Sequence, residues 1–101
     1  MLKVVKEQQE LNIMFILSGE LDMSTGDYLD KLVNDQDFSN ISKISFCLTR
    51  LEFIDSTGIG QLITYYRQYS NEGINVEIIN DNPEIEEVLE LIGLREIMEI
   101  Y

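Results

Sequence analysis

With 101 residues, 45% of them apolar and 26% charged, the chain suffices for one domain (residues 1–101) with a core of its own. Nineteen acidic against seven basic side chains leave a net charge of −12, which argues against a nucleic-acid partner and suits a basic protein surface; acidity that merely keeps the chain soluble is the plainer alternative. Histidine is absent, which excludes a Ser-His-Asp triad within the chain and removes the commonest zinc ligand, and no apolar run approaches the ~20 residues of a membrane span.

The opening residues, Met1-Leu-Lys-Val-Val-Lys-Glu7, lack the apolar stretch of a secretory leader, and the single cysteine, Cys47, has no partner for an internal disulfide; a cytoplasmic protein is expected. Residues 2–6 read as a strand. Leu11, Ile13, Phe15 and Leu17 alternate through residues 11–18 as a second strand, antiparallel to the first. Gly19-Glu-Leu-Asp22 turns the chain, and Ser24-x-x-Asp27 resembles the capping box of a helix whose inner face carries Leu29, Leu32, Val33 and Gln36. Residues 43–48 form a strand too apolar to be wet on both sides, in which Cys47 reads as a buried small hydrophobe. A second apolar run from Leu51 stops at Asp55. Ser56 then opens a helix to about Asn71, with Ile59, Leu62, Ile63 and Tyr66 on its inner face and Gly73 as a left-handed stop. Asn75–Ile79 is another strand. Asn82 caps a third helix with Pro83 in its first turn, Ile85, Val88, Leu89 and Ile92 inward, and Gly93 at its end. Residues 96–101 make a last short strand or an extended tail. Strands joined through helices predict a mixed α/β domain, a central sheet with helices packed against it.

Ser56 is the chief candidate for chemistry. Strand, tight polar turn and helix place its hydroxyl where the free N–H groups of a first helical turn meet the positive end of the helix dipole, so a phosphate on it would sit in a ready-made anion site. The commoner role of such a serine is simply to cap the helix. Gly58 and Gly60 each cost roughly 1 kcal/mol against alanine inside a helix. Two explanations stand side by side: close packing of the turn on the sheet, and room for another molecule's backbone beside Ser56. If the strands before the two loops are parallel neighbours, Asp22 and Ser56 emerge at the same sheet edge, where sites gather in α/β folds.

Gly19-Glu-Leu-Asp22, then Leu51-x-Phe-Ile-Asp-Ser-Thr-Gly-Ile-Gly60, then Ile92-Gly-Leu94 before a final apolar stretch together resemble the STAS domain, in order and over nearly the whole chain. Within that superfamily they resemble the bacterial anti-anti-sigma factors, or anti-sigma factor antagonists. Asp-Ser-Thr-Gly is the specific part. The resemblance implies that Ser56 is phosphorylated by an anti-sigma factor that is itself a serine kinase, with Asp22 close to the acceptor, Asp55 just before it, and Thr57 a conceivable second target. Gly26 departs from the family habit of a better helix former, and no extra helix follows before Tyr101.

The resemblance further implies a partner switch. The unphosphorylated, monomeric protein binds the kinase and releases a sigma factor, phosphorylation of Ser56 ends the complex, and a PP2C-type phosphatase resets it. The protein is then a ligand and substrate, not an enzyme, with no cofactor of its own, since ATP and magnesium belong to the kinase. The expected partner face comprises Asp22, Met23, Ser24 and Thr25, then Asp55, Ser56, Thr57, Gly58, Ile59 and Gly60, then Gln61, Thr64 and Arg67 along the helix. Contact with nucleic acid and insertion into membranes are not expected. The alternative within the fold is a STAS scaffold, or a subunit of a membrane transport complex, that never turns over phosphate. An enzyme using Ser56 as nucleophile is disfavoured by the lack of histidine and of an evident base beyond Asp22 and Asp55.

Overall fold

Alternating apolar residues pair the first two strands, β1 (Leu2–Gln9) and β2 (Asn12–Leu21), into an antiparallel hairpin, closed at Glu10, which takes a left-handed φ of 53°. In this computed structural model, which describes residues 1–101, the chain then runs through α1 (Gly26–Asn34), β3 (Lys43–Ile54), α2 (Ser56–Ser70), β4 (Asn75–Ile79) and α3 (Pro83–Ile92). A 3-10 turn (Leu94–Glu96) and a short β5 (Glu99–Ile100) complete it. The sheet order is β1-β2-β3-β4-β5, with β2 to β5 all parallel. This is the mixed sheet that the alternation of helices and strands predicts.

Register decides which side chains share a face. Ile13 and Phe15 of β2 align with Ile44 and Phe46 of β3 and these with Val76 and Ile78 of β4, and all are buried in one core cluster together with Leu17 and Leu48. Ile59 and Leu62 of α2, Leu29 and Val33 of α1, and Ile85 and Leu89 of α3 pack into the same core. Met14, Ile16, Cys47 and Ile79 point to the other face and are only half-buried, so Cys47 is not the fully buried hydrophobe expected of it. Beside them Glu77 is buried, taking a hydrogen bond from Ser45 Oγ at 2.9 Å and pairing with Lys43 at 3.8 Å.

Several boundaries differ from expectation. β2 continues past Gly19 to Leu21, because Gly19 keeps its place in the ladder at a left-handed φ of 90°. β3 runs on through Leu51 to Ile54, carrying irregular register after Ile16 that lets polar Arg50 and Glu52 face outward. α1 ends at Asn34, so Gln36 lies beyond it. In α3 Ile92 is 44% exposed, since the last turn rises away from the core towards the left-handed cap at Gly93. Asn82 does cap that helix, accepting from Glu84 N at 3.0 Å, and its amide also holds the Leu51 carbonyl of β3 at 3.0 Å.

Candidate functional site

Because β2 and β3 are parallel and Leu21 pairs with Ile54, the loops that follow them leave the sheet side by side. Asp55 N donates to Leu21 O at 3.3 Å, tying the second loop to the first. In the first loop Asp22 Oδ1 accepts from Ser24 N at 2.9 Å and from Ser24 Oγ at 2.7 Å. These bonds, the Ser24 hydroxyl foremost, hold the Asp22 carboxyl below its ordinary value. Thr25 is buried, with Oγ1 accepting from Asp22 N and donating to Glu20 O, each at 3.0 Å. Thr25 rather than Ser24 therefore stands at the start of α1, and no side chain caps that helix; the expected capping box does not form because Ser24 is spent on Asp22.

Asp55 is the cap of α2. Its backbone is extended, and its Oδ1 accepts from Gly58 N at 2.9 Å. The two hydroxyl residues that follow, Ser56 and Thr57, are left exposed in the first turn, where helix N–H groups lack intrahelical acceptors. Ser56 is thus relieved of the capping role that would otherwise explain it.

The two glycines separate. A Cβ on Gly58 would lie 2.6 Å from Leu21 O and 2.9 Å from Leu21 Cγ, so close packing on β2 requires glycine there. A Cβ on Gly60 would meet nothing within 4 Å, and the residue faces open solvent.

The expected partner face divides in the same way. Asp22, Met23, Ser24, Ser56, Thr57, Gly60, Thr64 and Arg67 lie on or near the surface around the paired loops. Gly58, Ile59 and Thr25 are buried, and Asp55 is turned into its cap. Gln61 is also turned inward: its Nε2 donates to Gly26 O at 2.8 Å and lies 3.1 Å from Asp30 Oδ1 and 2.8 Å from Tyr65 Oη. Helical periodicity missed Tyr65 and Tyr69, which are buried where Ile63 and Tyr66 were expected to be and are only partly so. The signal was present, since 62, 65 and 69 also follow helical spacing. Exposed apolar side chains flank the loops, Met23 at 80% and Tyr28 and Phe53 each at 49%. An open hollow of about 450 Å³ lies beside the first loop, lined by Met1, Leu2, Lys3, Ser24, Thr25 and Tyr28. No group of three or more acidic or cysteine side chains converges as a metal site would, and no helix is long and apolar enough to cross a membrane.

A mixed five-stranded sheet that delivers an acidic loop and an Asp-Ser-Thr-Gly helix start to one edge defines a STAS domain. The STAS domain family matches residues 3–101, and the chain belongs to it. More particularly, the chain is 29% identical over 101 residues to the anti-sigma F factor antagonist of Paenibacillus polymyxa, covering 99% of this chain and 86% of that protein. In fold it is similar to an anti-sigma factor antagonist from Mycobacterium paratuberculosis (TM-score 0.88, 21% identity, 100% of this chain and 86% of the other). It is also similar to the antagonist SpoIIAA in its unphosphorylated form (0.74, 19%, 98% and 87%) and to the Bacillus SpoIIAA in its phosphorylated form (0.73, 22%, 98% and 91%).

Proposed function

We propose that this protein is an anti-sigma factor antagonist that works as a partner switch in the cytoplasm. Unphosphorylated, it binds an anti-sigma factor that is a serine kinase, and a sigma factor is released. The kinase, with its own ATP and magnesium, transfers phosphate to Ser56; the complex then dissociates, and a PP2C-type phosphatase restores the first state. The chain itself acts as ligand and substrate and catalyses nothing.

The observation that carries this reading is the division of labour between Asp55 and Ser56. The aspartate caps α2, and the serine stands exposed in the first turn with an unobstructed glycine, Gly60, one turn further on. Asp22, Met23, Ser24, Ser56, Thr57, Gly60 and Thr64 form the face we assign to the kinase. Asp55, Gly58, Ile59, Thr25 and Gln61 shape it from within. The names of the relatives support the reading, as does the equal likeness to both phosphorylation forms of SpoIIAA, which fits a switch that leaves the fold in place.

The test is to incubate the protein with the cognate kinase, ATP and magnesium and to map the phosphate. Label on Ser56, absent from Ser56→Ala, is expected, and Ser56→Ala should stay bound to the kinase. Label on Thr57, or on neither residue, would overturn the assignment.

A further inference from the structure

We propose that Gln61 is a positioning residue that sets the Asp22–Thr25 loop against the first turn of α2, acting on partner recognition through that loop and not by touching the partner. The inference rests on the function proposed above for the site, and it is carried by one polar cluster between α1 and α2.

The Gln61 carboxamide bridges the two helices near their N-terminal ends. Gly26 O and Asp30 Oδ1, at 2.8 and 3.1 Å, are both acceptors, so the amide must present its NH₂ to them. Tyr65 Oη donates to the same Asp30 oxygen and lies 2.8 Å from Gln61 Nε2. The Tyr65 ring is itself held: it stacks on Phe46 with centroids 5.5 Å apart and planes 13° from parallel, and Phe46 stacks on Phe15 at 5.5 Å. The cluster is therefore anchored to the core of the sheet through the Tyr65 ring.

From Gln61 the connection to the site is short. Gly26 is the first residue of α1, and its N–H donates to Asp22 O at 3.1 Å, as does Thr25 N at 3.2 Å. Thr25 Oγ1 closes the loop on Asp22 N. Fixing Gly26 thus fixes the carbonyl of Asp22 and, with it, the carboxylate that Ser24 orients. On the α2 side, Gln61 lies one helical turn beyond Thr57. A single side chain links the two halves of the site.

The same contact bears on Gly26, a poor helix former at the head of α1. A Cβ there would lie 2.8 Å from Gln61 Oε1, so a larger residue pushes the flexible end of the amide aside. Burial, followed by the bond to Asp30, raises the Tyr65 phenol above its ordinary value, so it remains a hydrogen-bond donor to Asp30 into the alkaline range.

Two variants remove the bridge from opposite sides. Gln61→Met keeps length without donors, and Gly26→Ala pushes the amide away while improving helix propensity. In the free protein, the amide NMR signals of Met23, Ser24 and Thr25 should shift in both variants, with faster hydrogen exchange in the loop. Affinity of the unphosphorylated protein for the cognate kinase should fall about five- to tenfold, the scale of one lost hydrogen bond. Combining Gln61→Met with Asp22→Asn should cost less than the product of the single losses, because both act through one loop. Loop signals that stay in place while affinity falls, or losses that simply multiply, would mean that Gln61 touches the partner, and unchanged affinity would mean that the bridge is only structural; each overturns the proposal. If the wild type does not bind the kinase at all, the proposed function fails, and unmoved loop signals in the free variants would still refute the bridge.

Discussion

Asp55, Ser56, Gly58 and Gly60 stand within six residues, yet each answers to a different physical demand. Asp55 satisfies the Gly58 N–H, Ser56 is left for solvent, Gly58 yields space to Leu21, and Gly60 has open space where a side chain would be. The glycines therefore respond oppositely to the same substitution. Gly58→Ala forces a methyl against a backbone oxygen that has no room to move; overpacking outweighs the gain in helix propensity, and we expect a net loss of about 1–2 kcal/mol, a fall of roughly 5–10 °C in melting temperature. Gly60→Ala fills open space and should raise stability by about 0.5–1 kcal/mol. Gly60→Trp should melt near wild type yet bind the kinase at least about tenfold more weakly, a loss of ~1.4 kcal/mol read by calorimetric titration. The need for small residues here was legible from the sequence. Which glycine served packing and which left access was not, because that depends on Leu21, 37 positions away in the chain.

At the level of elements, α2 shows why periodicity alone misleads. The apolar stripe Ile59, Leu62, Ile63, Tyr66 satisfies helical spacing, but α2 packs against both the sheet and α1, and the buried stripe turns towards Tyr65 and Tyr69. A tyrosine is ambiguous to hydropathy. Tyr65 goes inside because its ring finds Phe46 and its hydroxyl finds Asp30. The consequence is measurable at high pH. Its phenol is raised in the folded state from an ordinary value of 10.0, so the unfolded chain ionises first and stability is lost as pH climbs above that value. Chemical denaturation followed from pH 9 upward should show stability falling with a slope of up to about 1.4 kcal/mol per pH unit from this group. Tyr65→Phe should be less stable at neutral pH and show a flatter alkaline arm. Strand boundaries differ for a related reason: residues 43–48 and the run from Leu51 to Asp55 read as two separate apolar stretches, and Arg50 and Glu52, facing outward, disguise their continuity as one strand to Ile54. By contrast, caps with a local mechanism, Asn82 and Gly93, were legible in full.

Over the whole molecule, charge and topology act together. The parallel β2–β3 pair brings two distant loops to one edge, a juxtaposition that the order of elements implies when the two strands are neighbours. The chain as a whole carries a net charge of −12, and residues 81–101 hold seven acidic side chains against Arg95 alone, itself paired with Glu86 at 2.6 Å. If the kinase presents a basic surface, this field speeds encounter more than it strengthens the complex. Stopped-flow association should slow as salt rises from ~0.05 to ~0.5 M while dissociation changes little; association rates flat over that range would show that the charge serves solubility alone.

A phosphate on Ser56 would add about −1.5 to −2 charges to the first turn of α2. At the N-terminus of α2 the added charge gains about 0.3–1 kcal/mol per unit from the helix dipole, and the carboxylates of Asp22 and Asp55 oppose it. Within the free domain the two effects largely cancel, so the melting temperature should change by only a few degrees. In the complex, the phosphate would occupy the approach over Gly60 and lose its water beside two carboxylates, so the cost should fall on binding. Titrating the cognate kinase with unphosphorylated and with Ser56-phosphorylated protein, each also followed by amide NMR, tests this directly. We expect affinity to drop at least about tenfold (~1.4 kcal/mol) on phosphorylation, with signal changes confined to Asp22–Thr25 and Asp55–Gly60. Equal affinity of the two forms, or shifts spread through the sheet and α3, would contradict a local switch at Ser56.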